Sequence, residues 1–341
     1  MLQGRVKTWV KRGGITVGLL VLIGAAYCVC NWQSLNARYV ASRLQSVTTD
    51  EDRAACVNKL LDCHDAGMPY FLAIFHGVDE SACEIAVTSL KERLATLPPD
   101  DPRFAALCTP MLAGLNHFSD AGKVAALELI PELVSCPTLD AVTRGQSLVS
   151  KSLSGNTTAG KLRGIRHALR PQIACAAEIV PLLNDPDVEV RRAAMLAVGP
   201  TADVANAVIG TEELFKWLHD SDAEVRNTCA SALRTRGLEW DHISLARQLT
   251  HPDPAERLNL LVDLAQGTTV NDAGSWLERL SRDPDPAVRL GAARVAYETR
   301  LQFAAWLEKL ATNDPDPTVR RWSGYYRNLT VAVRQTGYTR E

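Results

Sequence analysis

Apolar positions recur along most of the chain with a helical period. In "PDPAVRLGAARVAYE" (284–298), Val288, Ala292, Val295 and Ala296 stand at i, i+4, i+7 and i+8. That spacing predicts an amphipathic helix with one buried face. Its start is written just upstream. Asp285 is a good N-cap, because its carboxylate can accept from backbone N–H groups that lack an intrahelical partner. Pro286 falls at the first helical position, where a missing N–H costs nothing, and Pro284 keeps Asp283 out of the α region. Glycines and prolines cluster between such stretches, as in "LPPDDPR" and "SGNTTAG". No convincing alternating run predicts a strand.

The same helix start repeats. Aligned on the arginine, the copies read "DPDVEVR", "DSDAEVR", "HPDPAER", "DPDPAVR" and "DPDPTVR", with arginines at 191, 226, 257, 289 and 320. The spacings are 35, 31, 32 and 31 residues. A leucine (Leu183, Leu218, Leu249, Leu280, Leu310) closes the helix before each copy. Small residues (Ala194, Cys229, Ala292, Ser323) follow at the position where helices would approach closely. A fixed period of this length predicts stacked helix pairs. The motif resembles the HEAT repeat, whose second helix opens with Asp and then Val-Arg. The resemblance implies an all-α solenoid of roughly nine helix pairs. It is strong from 171 to 335, with 336–341 as a tail. It is eroded from 33 to 170, where helix pairs such as "DEDRAACVNKLLDCHDAG" persist without the signature.

The recurring Asp187, Asp222, Asp253, Asp285 and Asp316 stand four residues before Arg191, Arg226, Arg257, Arg289 and Arg320. We expect them to be structural: each Asp caps its helix, and each Arg bridges to the Asp of its own or the adjacent repeat. The copy at 253 departs, with Glu256 in place of valine and Asp263 on the expected apolar face. Leu258, Leu261, Val262 and Ala265 would then form its apolar side, so that helix is expected rotated or partly exposed. Trp322, Tyr325 and Tyr326 follow the last copy with no further repeat to cover them. Glu256, Asp263 and these aromatics are the expected partner surface, unless residues 331–341 fold over the rings. Trp276 and Trp306, at matching places in successive first helices, are expected to fill gaps between repeats.

Charge sharpens the reading at one end. The chain has 37 basic and 39 acidic residues, and Arg5, Lys7, Lys11 and Arg12 stand together at the N-terminus with no acid among them. Without them the body is net acidic, which argues against a nucleic-acid partner. Residues 13–37 carry no charge, and 13–32 are long enough for a membrane-spanning helix, flanked by Trp9 and Trp32. The basic segment 1–12 predicts a cytoplasmic N-terminus and an extracytoplasmic body. The rival reading is a signal peptide cleaved near Ala26. Gly14 and Gly18 have a small-xxx-small spacing through which two anchors could pack as a homodimer.

Catalytic chemistry is hard to find. The nine cysteines form no CxxC pair, and the seven histidines form no HExxH pattern and are never followed by Glu. HEAT-like deoxyhypusine hydroxylases need His-Glu pairs, which are missing. Bilin-attaching repeat proteins are also similar, but no residue here identifies their activity. Cys83, Cys108, Cys136 and Cys175 could pair between helices, although small buried residues are the simpler reading. Two sequons, at Asn156 and Asn328, would allow glycosylation in a eukaryotic secretory pathway. We expect no catalytic residue, metal or cofactor, and a scaffold or interaction module with a protein or peptide partner. The alternatives are a bilin-lyase-like accessory factor and a passive spacer.

Overall fold

The computed structural model describes residues 31–201, 203–266, 273–299 and 305–336. Among them it contains eighteen α-helices, four short 3-10 helices and no strand. The segment 13–32 read as an anchor lies outside the described residues except for its last two positions. Gly14 and Gly18 lie outside them as well. No helix among the described residues is long and apolar enough to cross a membrane.

The described residues up to Leu182 form one compact unit and those from Leu183 onward a second. In the first, capped helices alternate with short turns. Thr49, Asp79, Asp101 and Ser119 each accept from a backbone N–H of the helix they open. Phe71, Phe75 and Phe118 are buried, with the Phe75 and Phe118 rings stacked at 5.0 Å. Gly122 is required here, because a Cβ would stand 2.1 Å from the Phe75 carbonyl oxygen.

All seven described cysteines are buried free thiols. Cys108, on the helix Pro102–Gly114, lies beside Cys136, and burial first and that neighbour second push its thiol up to about 12. Burial likewise pushes the Cys229 thiol up to about 12. These are apolar packing residues in their present state, not nucleophiles.

The second unit is a run of helix pairs. Its second helices are Val188–Val198, Ala223–Thr235, Pro254–Gln266, Pro286–Glu298 and Pro317–Thr336. The matching first helices include Trp240–Leu249, Ala273–Leu280 and Ala305–Asn313. Ala176–Asn184, most of which belongs to the first unit, and Phe215–His219 are 3-10 helices. Pro181 accounts for the former, since it removes an N–H from the middle of the helix.

Of the two expectations for the helix Pro254–Gln266, it is not rotated, and the apolar side counted in the sequence is partly exposed, at Val262 and Ala265. Its buried residues are Arg257, Leu260, Leu261 and Leu264, while Val262 is exposed. Leu260 and Leu264 occupy the register of Ala292 and Ala296, so the buried face is the one used by its neighbours. Bulky leucines stand where the following helix has alanines. The next helix makes room with Gly291, where a Cβ would meet Leu261 Cδ1 at 2.5 Å.

Candidate functional site

The turn that opens each second helix in this unit uses two residues with separate jobs. Asp187, Asp222, Asp253, Asp285 and Asp316 cap, each accepting from the N–H two residues on. Asp185, Asp220, Asp283 and Asp314 stand two residues earlier and accept the N–H of the capping Asp at 2.8–2.9 Å. His251 holds this earlier place in the remaining turn, taking the Asp253 N–H on Nδ1 at 3.1 Å.

Each arginine works in two directions. Its Nη1 reaches back to two carbonyls of its own turn; for Arg289 these are Asp283 and Pro284, at 2.8 and 3.0 Å. Arg191, Arg226, Arg257 and Arg320 do the same. The remaining edge of the guanidinium, Nε and Nη2, projects forward. It grips both oxygens of the earlier Asp of the next repeat in Arg191–Asp220, Arg257–Asp283 and Arg289–Asp314, at 2.7–3.0 Å. The carboxylate that receives these arginines is therefore not the capping Asp singled out in the sequence. The cap Asp222 accepts from Arg192 of the preceding repeat, at 2.7 and 2.9 Å. Arg226 and Arg320 make the backward bonds alone among the described residues.

Burial makes these pairs consequential. Arg289 and Asp314 are 8% and 5% exposed. Burial opposes the Asp314 charge, but the hydrogen bonds from Arg289 and the Asp316 N–H outweigh it and hold the carboxyl below its ordinary value. The same pairing holds Arg289 above its ordinary value, and Asp220 does so for Arg191. Paired groups like these stitch one repeat to the next.

The earlier row of aspartates was missed in the sequence reading. Its only signal is the recurrence of Asp two residues before the cap, with His251 as the exception.

The aromatic residues after the last turn lie on the surface. Val319 and Ser323 face inward on the helix Pro317–Thr336, while Trp322 is 42% and Tyr325 51% exposed. Trp322 meets Tyr325 edge-on at 5.6 Å, and Tyr326 stacks on Tyr297 of the preceding repeat at 5.4 Å. The four rings form one patch across two repeats. The helix continues to Thr336, so residues 331–336 extend it instead of turning back over the rings.

Glu256 is exposed and accepts a hydrogen bond from Asn259, whereas Asp263 is half-buried. Trp276 is buried beneath the Arg279 guanidinium. Trp217, buried too, donates from Nε1 to the Leu183 carbonyl at 2.9 Å. Trp306 is half-buried in a cleft of about 780 Å³ whose lining includes Glu278, Lys309 and the Arg289–Asp314 pair.

No group of three His, Cys, Asp or Glu residues placed to hold a metal occurs among the described residues. The cleft's polar groups serve structure: Ser281 Oγ donates to the Glu278 carbonyl, Arg282 pairs with Glu278, and Arg289 is consumed by Asp314.

No curated protein matches the chain. The family model for HEAT repeats matches residues 243–325, which take in the turns at His251, Asp283 and Asp314 and the aromatic residues up to Tyr325. Those residues are HEAT repeats, and the chain, all-helical where it is described, fits the HEAT-repeat family of helical proteins.

Proposed function

We propose that the chain is a scaffold that docks a protein or peptide partner on its C-terminal repeats, chiefly through Trp322, Tyr325 and Tyr326. The observation that carries this reading is the exposed aromatic patch on the helix Pro317–Thr336. Exposed aromatics are residue types that dominate binding energy. Glu256 and Asp263, two repeats earlier, belong to the proposed surface as well. HEAT repeats in general suggest an interaction or scaffold role, which agrees with this assignment.

The test is recovery of a crosslinked partner by the full chain carrying Trp322→Ser and Tyr325→Ser together. The variant should keep its circular-dichroism spectrum and melting while losing the partner. Unchanged recovery would refute the placement, and a collapse in melting would reassign both rings to the core.

We further infer that residues 13–32 anchor the chain in a membrane with the body on the extracytoplasmic side. Support comes from the uncharged run and the basic segment before it. The first described helix, Trp32–Leu44, adds an exposed apolar row of Trp32, Leu35 and Tyr39 on one face, suited to the edge of a bilayer. The anchored protein should resist carbonate extraction from membranes. A mature N-terminus at Tyr27 would show cleavage and overturn the anchor.

A further inference from the structure

We propose that the cleft lined by Trp306 and Lys309 is a binding site for a carboxylate carried on an apolar body, with Lys309 taking the charge and Trp306 the body. The cleft, of about 780 Å³, has the size that small ligands fill. Trp306, Lys309 and Asn313 stand at i, i+3 and i+7 on one face of the helix Ala305–Asn313 and form one wall. Gly274, Glu278 and Ser281, from the helix Ala273–Leu280 and the turn after it, form the other. The lining includes none of Trp322, Tyr325 and Tyr326, so this is a separate surface from the aromatic patch.

The acids in and beside the cleft are already engaged. Glu278 is held by Arg282, Asp283 by Arg257 and Asp314 by Arg289. Glu308, next to Lys309 in the chain, pairs with Arg327 of the following helix. Lys309, exposed at the cleft, is thus left without a carboxylate among the described residues.

The chain itself shows what a cation in this place takes. "WLERL" (276–280) and "WLEKL" (306–310) are two copies of one motif, with Arg279 standing where Lys309 stands. In the first copy the Arg279 guanidinium lies over the Trp276 ring at 5.0 Å and donates from Nη2 to Glu212 Oε1 at 2.5 Å. That Trp is buried. In the second copy Trp306 is half-buried, Lys309 lacks a carboxylate, and the cleft stands open beside both. An ammonium next to a partly open indole face suits a ligand with one negative end and an apolar remainder.

The experiment is calorimetric titration of the full chain with two acids, N-acetylphenylalanine and the peptide acetyl-Gly-Ala-Leu-Phe with a free C-terminus, each compared with its C-terminal amide. Saturable binding of an acid, about tenfold or more tighter than of its amide, is expected from one charge-assisted hydrogen bond. Binding of the small acid, alone or with the peptide, assigns the site to free acids, and binding of the peptide alone assigns it to the C-terminal end of a partner chain. Lys309→Met keeps the apolar stem and removes no ion pair, so it should lower the affinity for the acid to that for the amide, while Lys309→Arg should keep it. Ala305→Glu puts a carboxylate four residues before Lys309 in the same lining and should suppress binding. No saturable binding of either acid, equal binding of acid and amide, or full affinity in Lys309→Met overturns the site.

Discussion

Two aspartates only two residues apart carry unequal loads. Asp316 caps its helix from a half-buried position, accepting the Thr318 and Val319 N–H groups. Losing such a cap costs about 1 kcal/mol. Asp314 is buried and receives both arms of Arg289. Removing it leaves a buried guanidinium edge unpaired, which costs roughly 3–5 kcal/mol. Asp314→Ala should therefore destabilise the second unit several-fold more than Asp316→Ala, measured by urea unfolding followed through Trp217. Equal losses would refute the division of labour. The cap was legible because its signal is local: Asp, then Pro or a small residue, then a periodic apolar run. The Asp that takes the arginine was not legible, because its partner lies 25 residues away in Arg289–Asp314 and 29 in Arg191–Asp220. Nothing in a single turn shows that the guanidinium points forward.

At the scale of elements, the helices themselves followed from period and punctuation, but the packing of one did not. Counting Leu258, Leu261, Val262 and Ala265 as the apolar side of Pro254–Gln266 picked the wrong stripe. The structure buries Leu260, Leu261 and Leu264 and exposes Val262. Leucines occur on both sides of this helix, so the sequence alone could not choose, whereas repeat register points to Leu260 and Leu264. The choice has a partner in Gly291. A glycine inside a helix ordinarily costs about 1 kcal/mol relative to alanine. Here a Cβ would press on Leu261 Cδ1 at 2.5 Å, and overpacking costs roughly 1–3 kcal/mol. Gly291→Ala alone should thus fail to stabilise the unit, while Gly291→Ala in a Leu261→Val background should recover the helix gain. The pair should show a coupling of roughly 0.5–3 kcal/mol in a double-mutant cycle. Additive effects would show that the close approach relaxes freely.

On the scale of the whole chain, the two compact units carry different acid sensitivities. In the first, His167 is buried on the helix Thr158–Ala168, accepts from Arg170 Nε at 3.3 Å on Nδ1, and has no partner for Nε2. Burial first, then the Arg170 charge, lower it to about 4. The folded value lies below the unfolded one, so the unfolded chain takes up the proton more readily. The stabilisation is complete above pH 6.5 and is lost as pH falls through about 4, an amount of the order of 3 kcal/mol. In the second unit burial lowers His219 as well, while Asp203, Asp222 and Asp314 are held below the ordinary carboxylate value near ~4, so their contribution is complete above it and is lost only below it. Between pH 6.5 and 4.5 the first unit should therefore weaken while the Asp314 contribution to the second stays intact. Hydrogen exchange at pH 7 and pH 4.8, corrected for intrinsic rates, should show protection falling more in residues 31–182 than in 183–336. His167→Asn keeps an acceptor near the Nδ1 position and removes the titration, so it should flatten the pH dependence of the first unit alone. An unchanged profile of the first unit in His167→Asn would remove His167 as the source.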